Sequence, residues 1–279
     1  MSSLPDHFHF SQSSLQDYVD CRRRFKLRYL MQLSWPAIIT EPIREHEKWV
    51  QRGERFHHLV EQFFTGIPPQ NLEEIARDAG DTELQAWWST FLKVIPPLIR
   101  GSLFIEKTFS LPVQEFRLGA KYDLVVFDPA KGITIFDWKT SLRPLRRSNQ
   151  LHKMQSRVYP YVMVTAGREI TGSPPIRPDQ IEMVYWNPAF PESIIQIQYH
   201  QDQYQKDHRY INGLINEIIS LSDDQFPLTD QVKQCQFCVY RSLCDRGVRA
   251  GQLNDSSADE EWQNESLDFD FDQVEEMMY

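Results

Sequence analysis

The stretch KYDLVVFDPAKGITIFDWK, residues 121–139, decides the fold prediction for this chain of 279 residues. Two runs rich in β-branched and aromatic residues flank the turn Asp128-Pro129-Ala130-Lys131-Gly132, which is typical of a β-hairpin. In a hairpin that is symmetric about Ala130, Asp123 faces Asp137, and the Cβ atoms of opposed residues lie about 4.5–5.5 Å apart. The sequence therefore predicts two carboxylates close together on neighbouring strands.

These two carboxylates predict a metal site. Like charges at that distance repel, and a divalent cation between them removes the repulsion; oxygen ligands suit Mg²⁺ or Mn²⁺. Lys139 follows Asp137 by two residues and so points to the same face of the strand, where an ammonium can orient a metal-bound water. The alternative is that Asp123 and Asp137 are strand-end acids whose ion-pair partner is Lys139.

The patterns on either side predict a mixed α/β core inside a helical wrapper. Five helices are expected at about 11–30, 43–64, 82–99, 149–165 and 202–220. Five strands are expected at about 103–109, 117–127, 133–138, 181–186 and 194–199. We expect a single domain over 1–250, made of a helical part (1–100), an α/β catalytic core (101–200) and a helix with a cysteine cluster (201–250), followed by a disordered acidic tail (251–279).

Charge is distributed unevenly along the chain. The whole sequence has 30 basic and 39 acidic residues, and a net charge of −9 argues against a nucleic-acid partner. The tail, however, carries ten of the acids and no base, so residues 1–250 have a net charge of +1. Residues 138–168 contain seven bases and no acid, which suits a phosphodiester substrate beside the metal site. The candidate nucleic-acid-binding residues are Arg22, Arg23, Arg24, Arg143, Arg146, Arg147, Lys153 and Arg157.

The four cysteines predict a second metal centre. Cys235, Cys238 and Cys244 form a C-x2-C-x5-C group, while Cys21 lies in the first predicted helix. Thiolates of this kind hold Zn²⁺ or an iron–sulfur cluster, and zinc sites usually contain two C-x2-C pairs. No run approaches the roughly 18–20 apolar residues of a membrane span, and the N-terminus lacks the features of a signal peptide, so a cytoplasmic protein is expected.

Four short motifs together resemble the RecB-type branch of the PD-(D/E)XK nucleases. They occur in the same order and at similar spacing over about residues 53–160: Gly53-x3-His57, Asp123, Asp137-Trp138-Lys139 and Gln155-x3-Tyr159. The resemblance implies a restriction-endonuclease-like fold with a mixed sheet. It also implies metal ligation by Asp123, Asp137, the carbonyl of Trp138 and His57, or His58 if the helix phase differs. Lys139 would act on the attacking water, and Gln155 and Tyr159 would place the DNA or support the site.

The cysteine arrangement is similar to that of the iron–sulfur members of this branch, including the AddB nuclease domain and the CRISPR-associated adaptation exonucleases. With it the resemblance covers about residues 11–247. It implies a structural [4Fe–4S] cluster on Cys21, Cys235, Cys238 and Cys244, with zinc as the alternative.

These observations predict a Mg²⁺- or Mn²⁺-dependent deoxyribonuclease, an exonuclease acting on single strands or DNA ends in repair, recombination or CRISPR adaptation. Two rival functions are a non-catalytic DNA-binding scaffold subunit and a zinc-stabilised adaptor. The acidic tail is expected to be a solvating end, a docking peptide for a protein partner, or a phosphate mimic that occupies the basic groove.

Overall fold

A computed structural model describes residues 4–5, 7–33, 41–172, 175–236 and 238–247, with the backbone alone at 41–47. The acidic tail, 251–279, lies outside these ranges. The described strands are β1 (His9–Phe10), β2 (Ser102–Val113), β3 (Phe116–Asp128), β4 (Gly132–Trp138), β5 (Ile181–Trp186) and β6 (Ile195–Gln198). The α-helices in these ranges are α1 (Gln12–Asp20), α2 (Arg22–Phe25), α3 (Glu41–Phe64), α4 (Pro69–Asp78), α5 (Thr82–Val94), α6 (Arg147–His152), α7 (Met154–Ala166), α8 (Arg168–Thr171) and α9 (Gln201–Ser220).

The described strands form one mixed sheet in the order β1-β3-β4-β5-β6, and β2 also pairs with β3. The pairs β1–β3 and β4–β5 are parallel, while β2–β3, β3–β4 and β5–β6 are antiparallel. The parallel step from β4 to β5 contains α6, α7 and α8, as a crossover between parallel strands requires. The predicted mixed sheet with flanking helices is confirmed.

The β3–β4 hairpin has the predicted register. Leu124 pairs with Phe136 and Phe127 pairs with Ile133, so the hairpin is symmetric about Ala130. On the other side of β4, Asp137 pairs with Tyr185 of β5. The carboxylate-bearing end of β4 therefore lies between β3 and β5, two strands that can both fix its position.

Both faces of the central strands are covered. On one face, Val125 and Ile135 pack in the same buried cluster as Val158 of α7. On the other face, Phe136 and Trp138 pack in a cluster that also contains aromatic residues of α3 and α5. Because side chains alternate along a strand, Asp137 and Lys139 point to the α7 face.

Three helix predictions differ from the structure in their boundaries. The first predicted helix is interrupted at Cys21, whose backbone is extended (φ −160°, ψ 107°). The helix predicted at 149–165 is two helices, because Lys153 is extended and the N–H of Met154 is donated to Oε1 of Gln16. The helix predicted to reach 99 ends at Val94, close to Pro96-Pro97, and α4 was not predicted.

The two ends of the described chain meet. The rings of Phe25 and Phe226 stack with centroids 6.2 Å apart, and the hydroxyl of Tyr240 donates to the carbonyl of Leu33 over 2.8 Å. None of the described helices combines the length and the apolar character needed to cross a membrane.

The turn between β3 and β4 depends on Gly132, where φ is +107° and a Cβ atom would overlap the carbonyl oxygen of Gln180. We expect Gly132→Ala to lower the free energy of unfolding by about 2–4 kcal/mol, since it adds a backbone clash to the strain of a positive φ. Gly66→Ala is the matched control, because Gly66 has a φ of +102° with open space around it. Urea titrations of both variants measure the difference, and equal losses would contradict the clash.

Candidate active site

Asp137, Lys139 and Gln155 form a closed polar triangle between β4 and α7. The ammonium of Lys139 lies 2.8 Å from Oδ2 of Asp137 and donates to Oε1 of Gln155 over 2.7 Å. The amide of Gln155 in turn donates to Oδ1 of Asp137 over 2.6 Å. Gln155 therefore holds the carboxylate of Asp137 and the ammonium of Lys139 in place. The contact between Lys139 and Oδ2 of Asp137 is an ion pair that lacks hydrogen-bond geometry.

Asp123 is the second carboxylate at this end of the sheet. Its Oδ2 accepts a hydrogen bond from the backbone N–H of Trp138 over 2.9 Å and lies 3.6 Å from Nδ1 of His57. The side chain of His58 is instead 65% exposed and contacts Glu61. The helix phase of α3 therefore turns His57, and not His58, toward the carboxylates.

The charges of this site act strongly on one another. Burial acts to raise the pKa of Asp123, but the charge of His57 and the N–H of Trp138 lower that pKa overall. Burial raises the pKa of Asp137, with the ammonium of Lys139 opposing and the charge of Asp123 reinforcing the rise. Burial acts to lower the pKa of His57, but the two carboxylates raise it overall. The two carboxylates, the imidazole of His57 and the ammonium of Lys139 thus shift one another's pKa values within one cluster.

Gly53 lets α3 approach the end of β4 closely enough to place His57 beside Asp123. A Cβ atom at this position would lie 2.6 Å from Oγ1 of Thr140, the residue directly after Lys139. Glycine is therefore required where the helix crosses the end of β4, and His57 follows one helical turn later.

Glu106 is a site residue that the sequence did not reveal. It lies on β2 in register with Asp123, where the ladder of pairs is interrupted and its φ is +49°. Its carboxylate is 2.6 Å from the ammonium of Lys121, and burial together with the charge of Asp123 raises the pKa of Glu106. An acid in the middle of an apolar strand is the one signal in the sequence. It points to the site only once the β2–β3 register shows that Glu106 lies near Asp123.

Tyr159 lies inside the protein behind the site. Its ring is buried 4.9 Å from that of Tyr122, and the Tyr122 hydroxyl donates to its carbonyl over 2.8 Å. Burial raises the pKa of Tyr159 well above its usual value, and the charges of Asp137 and Asp123 add to this rise. The role of Tyr159 in placing the DNA or supporting the site stays a prediction.

The first basic run is largely neutralised within the protein. Arg24 is only 4% exposed and pairs with Asp17 and Asp20, and Arg22 pairs with Glu217. Their charges stabilise the fold and are compensated by neighbouring acids; Arg23 is half-buried near the cysteines.

The second basic run lies nearer the triangle. Arg146 and Arg147 are exposed at the start of α6, and Arg147 donates to the neutral carbonyl of Gln196. Arg143 and Lys153 are half-buried, and Arg157 pairs over 2.7 Å with the fully buried Asp207. The exposed positive charge beside the site therefore comes mainly from the segment that follows Lys139.

The four cysteines do not form a metal cage in the structure. Burial raises the pKa of Cys244, and the charges of Cys21 and Cys235 raise it further, so these thiols lie within electrostatic reach of one another. In the described part of the chain, however, no group of three or more His, Cys, Asp or Glu side chains is arranged to hold a metal ion. The predicted iron–sulfur segment is therefore not shown.

Comparison with known families decides the class of the protein. The family model of the PD-(D/E)XK nuclease superfamily matches residues 9–245, which include every part of the site described above. This chain belongs to the PD-(D/E)XK nuclease superfamily. The mixed sheet with flanking helices is consistent with the restriction-endonuclease-like fold of this superfamily, and the protein is a nuclease by family.

The chain is also similar to two solved structures. A protein from Eubacterium rectale, provisionally described as an exonuclease, has 11% sequence identity and a TM-score of 0.45 over 75% of this chain and 79% of its own. The structure of SSO0001 has 13% identity and a TM-score of 0.40 over 86% of this chain and 87% of its own. Likenesses this distant carry no functional argument. Among curated proteins, none matches the sequence.

The donor chemistry of the site fits the divalent cation that PD-(D/E)XK nucleases typically use. Nε2 of His57 and Oδ2 of Asp137 are buried and make no hydrogen bond. Together with the carboxylate of Asp123 they are oxygen and nitrogen donors of the kind that Mg²⁺ or Mn²⁺ accepts. Among the described residues these three side chains are, like the cysteines, not arranged as a closed metal-binding group.

The close packing of Gly53 on Thr140 gives a test of the site. We expect Gly53→Ala to lower nuclease activity per folded molecule by about tenfold or more, because the added methyl group displaces the residue next to Lys139. Adding Thr140→Ala removes Oγ1 and should restore most of the activity, while the isosteric Thr140→Val should not. Activity assays with circular dichroism as a folding check measure this, and full activity in Gly53→Ala would contradict it.

Proposed function

We propose that this protein is a metal-dependent deoxyribonuclease of the RecB-type branch, acting as an exonuclease on single strands or DNA ends in the cytoplasm. The triangle of Asp137, Lys139 and Gln155 carries the proposal, because it fixes a carboxylate and an ammonium beside a second carboxylate. The exposed bases Arg146 and Arg147 follow Lys139 closely along the chain and suit a phosphate backbone.

In this proposal Asp123, Asp137, His57 and the carbonyl of Trp138 hold the cation. When bound, Mg²⁺ or Mn²⁺ supplies a Lewis acid that polarises the phosphate and lowers the pKa of a bound water. Lys139 has three N–H donors, of which one is donated to Oε1 of Gln155, and its ammonium is also ion-paired with Asp137. We propose that a remaining N–H holds the attacking water or a phosphate oxygen. Gln155 keeps the ammonium in that orientation.

The catalytic roles predict that Asp137→Asn and Lys139→Ala each lower the rate of DNA cleavage at least about 100-fold, since each removes a group of the reacting site. The measurement uses labelled single- and double-stranded DNA with Mg²⁺ or Mn²⁺, at protein concentrations that give single-turnover conditions. Lys107→Ala is the matched control, because Lys107 also forms a strand-to-acid ion pair, with Glu169 at 2.7 Å, but outside the site.

Two outcomes would overturn the proposal. Equal cleavage by wild type and both site variants would place the activity in a contaminant or elsewhere in the chain. Tight DNA binding by the wild type, with no cleavage under either metal, would favour the non-catalytic scaffold subunit of a nuclease or repair complex.

We also propose that Cys21, Cys235, Cys238 and Cys244 bind a structural [4Fe–4S] cluster, as in the iron–sulfur members of this branch. Two observations support it: Cys21 and Cys235 lie close enough to raise the pKa of Cys244, and the ring of Phe25 stacks on that of Phe226, which brings the N-terminal helices against the C-terminal segment. A cluster there would join the two ends and support a single domain over 1–250.

The tail, 251–279, is proposed to dock a protein partner through its acids and aromatic residues. The proposed pathway of the nuclease is repair, recombination or CRISPR adaptation.

The cluster proposal predicts a brown protein after anaerobic purification. We expect broad visible absorption, with iron and labile sulfide near four per chain, and loss of both in Cys238→Ser because a thiolate ligand is removed. Ser242→Ala, in the same segment, is the control and should keep the colour. A colourless anaerobic preparation with one zinc per chain would contradict the cluster and favour the zinc alternative.

A further inference from the structure

The chain directly after Lys139 is held at three successive residues. The N–H of Lys139 donates to the carbonyl of Trp186 over 2.8 Å, which extends the β4–β5 pairing by one step. The carbonyl of Thr140 accepts a hydrogen bond from the indole of Trp49 on α3. At Ser141, the amide of Asn187 donates to the carbonyl over 2.9 Å and to Oγ over 2.8 Å.

Asn187 is a specific anchor in this arrangement. It is fully buried, and its own Oδ1 accepts the N–H of Ala189 over 2.9 Å, so the donors and the acceptor of its side chain are all used. A buried amide is costly unless it is hydrogen-bonded, and here its bonds connect the end of β5 to the segment that leaves the site. The Oγ of Ser141 also donates to the carbonyl of Arg143 over 2.7 Å, so the anchored segment closes into a short loop.

The tip of this loop is Leu142, an apolar side chain that is 41% exposed. Leu142 is the third residue after Lys139, so its Cα lies within about 11 Å of the Cα of Lys139. The exposed Arg146 and Arg147 follow four and five residues later. Several hydrogen bonds therefore hold a loop whose tip is apolar and exposed. Along the chain, this tip lies between Lys139 and the two exposed arginines.

We propose that Leu142 is a substrate-positioning residue that packs against an unpaired base of the DNA strand entering the site, with Asn187 holding the loop in place. This inference rests on the proposed nuclease function. The arginines provide contacts for phosphates, whereas a leucine gains nothing from a charged phosphate and gains contact area from the flat apolar face of a base. A base inside a duplex is covered by its stacked neighbours, so an unpaired base suits this tip.

The test compares Leu142→Ala and Leu142→Met on two single-stranded substrates, one normal and one with abasic sites over the nucleotides flanking the cut. On normal DNA we expect Leu142→Ala to raise KM about three- to tenfold with little change in kcat, since it removes apolar contact area but no reacting group. Leu142→Met should keep a KM near that of the wild type. On abasic DNA the wild type and Leu142→Ala should have the same KM.

Leu98→Ala is the matched control, because Leu98 is 52% exposed and lies just before β2, near the β3–β4 turn at the far end of the sheet. It should leave both constants unchanged on both substrates. An unchanged KM in Leu142→Ala, or an equal rise on abasic and normal DNA, would overturn the inference while wild-type cleavage still supports the nuclease. A wild type that cleaves neither substrate would overturn the nuclease function itself.

Asn187→Asp tests the anchor, because it keeps the size of the side chain but replaces the donors to Ser141 with an acceptor. We expect it to raise KM on normal DNA at least as much as Leu142→Ala does, and the double variant should be no worse than Asn187→Asp alone. Gln198→Ala is its control, since Gln198 bonds the carbonyl of Ile181 over 2.9 Å at the opposite end of β5. Additive effects of Asn187→Asp and Leu142→Ala, measured on folded protein, would show that the anchor does not act through the loop.

Discussion

The rest of the site depends on the burial of two carboxylates at the end of one β-hairpin. Asp123 and Asp137 each lie one residue beyond Leu124 and Phe136, the last pair of the hairpin ladder. Three surrounding groups stabilise the carboxylates: the N–H of Trp138, the imidazole of His57 and the ammonium of Lys139. Buried charges of one sign need such partners, and a divalent cation is a further one that the donor set accepts.

The second requirement is that the ammonium of Lys139 and the backbone that follows it are held in fixed positions. Gln155 of α7 fixes the ammonium from one side, while β5 and Asn187 fix the backbone that follows it. The close approach of Gly53 to Thr140 adds α3 as a third support. Elements far apart in sequence thus converge on three or four residues of the β4 end, which is how a nuclease site is held rigid enough to act on a phosphate.

Positive charge in this protein serves two different purposes. Arg22 is paired with Glu217 of α9, and Arg24 is paired with Asp20 of α1. Arg146 and Arg147 remain exposed beside the site. The two basic runs look alike in the sequence, because sequence lists charges without showing which acids lie next to them in space.

The sequence by itself predicted the β3–β4 hairpin and the register of its pairs from Leu124–Phe136 to Asp128–Gly132, because alternation and a central turn are local properties. The direct opposition of Asp123 and Asp137 stays a prediction, since the ladder ends one residue before them. It also predicted the mixed sheet and the nuclease superfamily whose family model matches the chain. Only the tertiary structure decided that His57 rather than His58 turns to the carboxylates, that Glu106 stands opposite Asp123, and that Arg24 is buried. The tertiary structure also showed that Asn187 contacts Ser141. The sequence could not predict these contacts, because contacts between distant segments depend on how whole elements pack, and no local pattern encodes that packing.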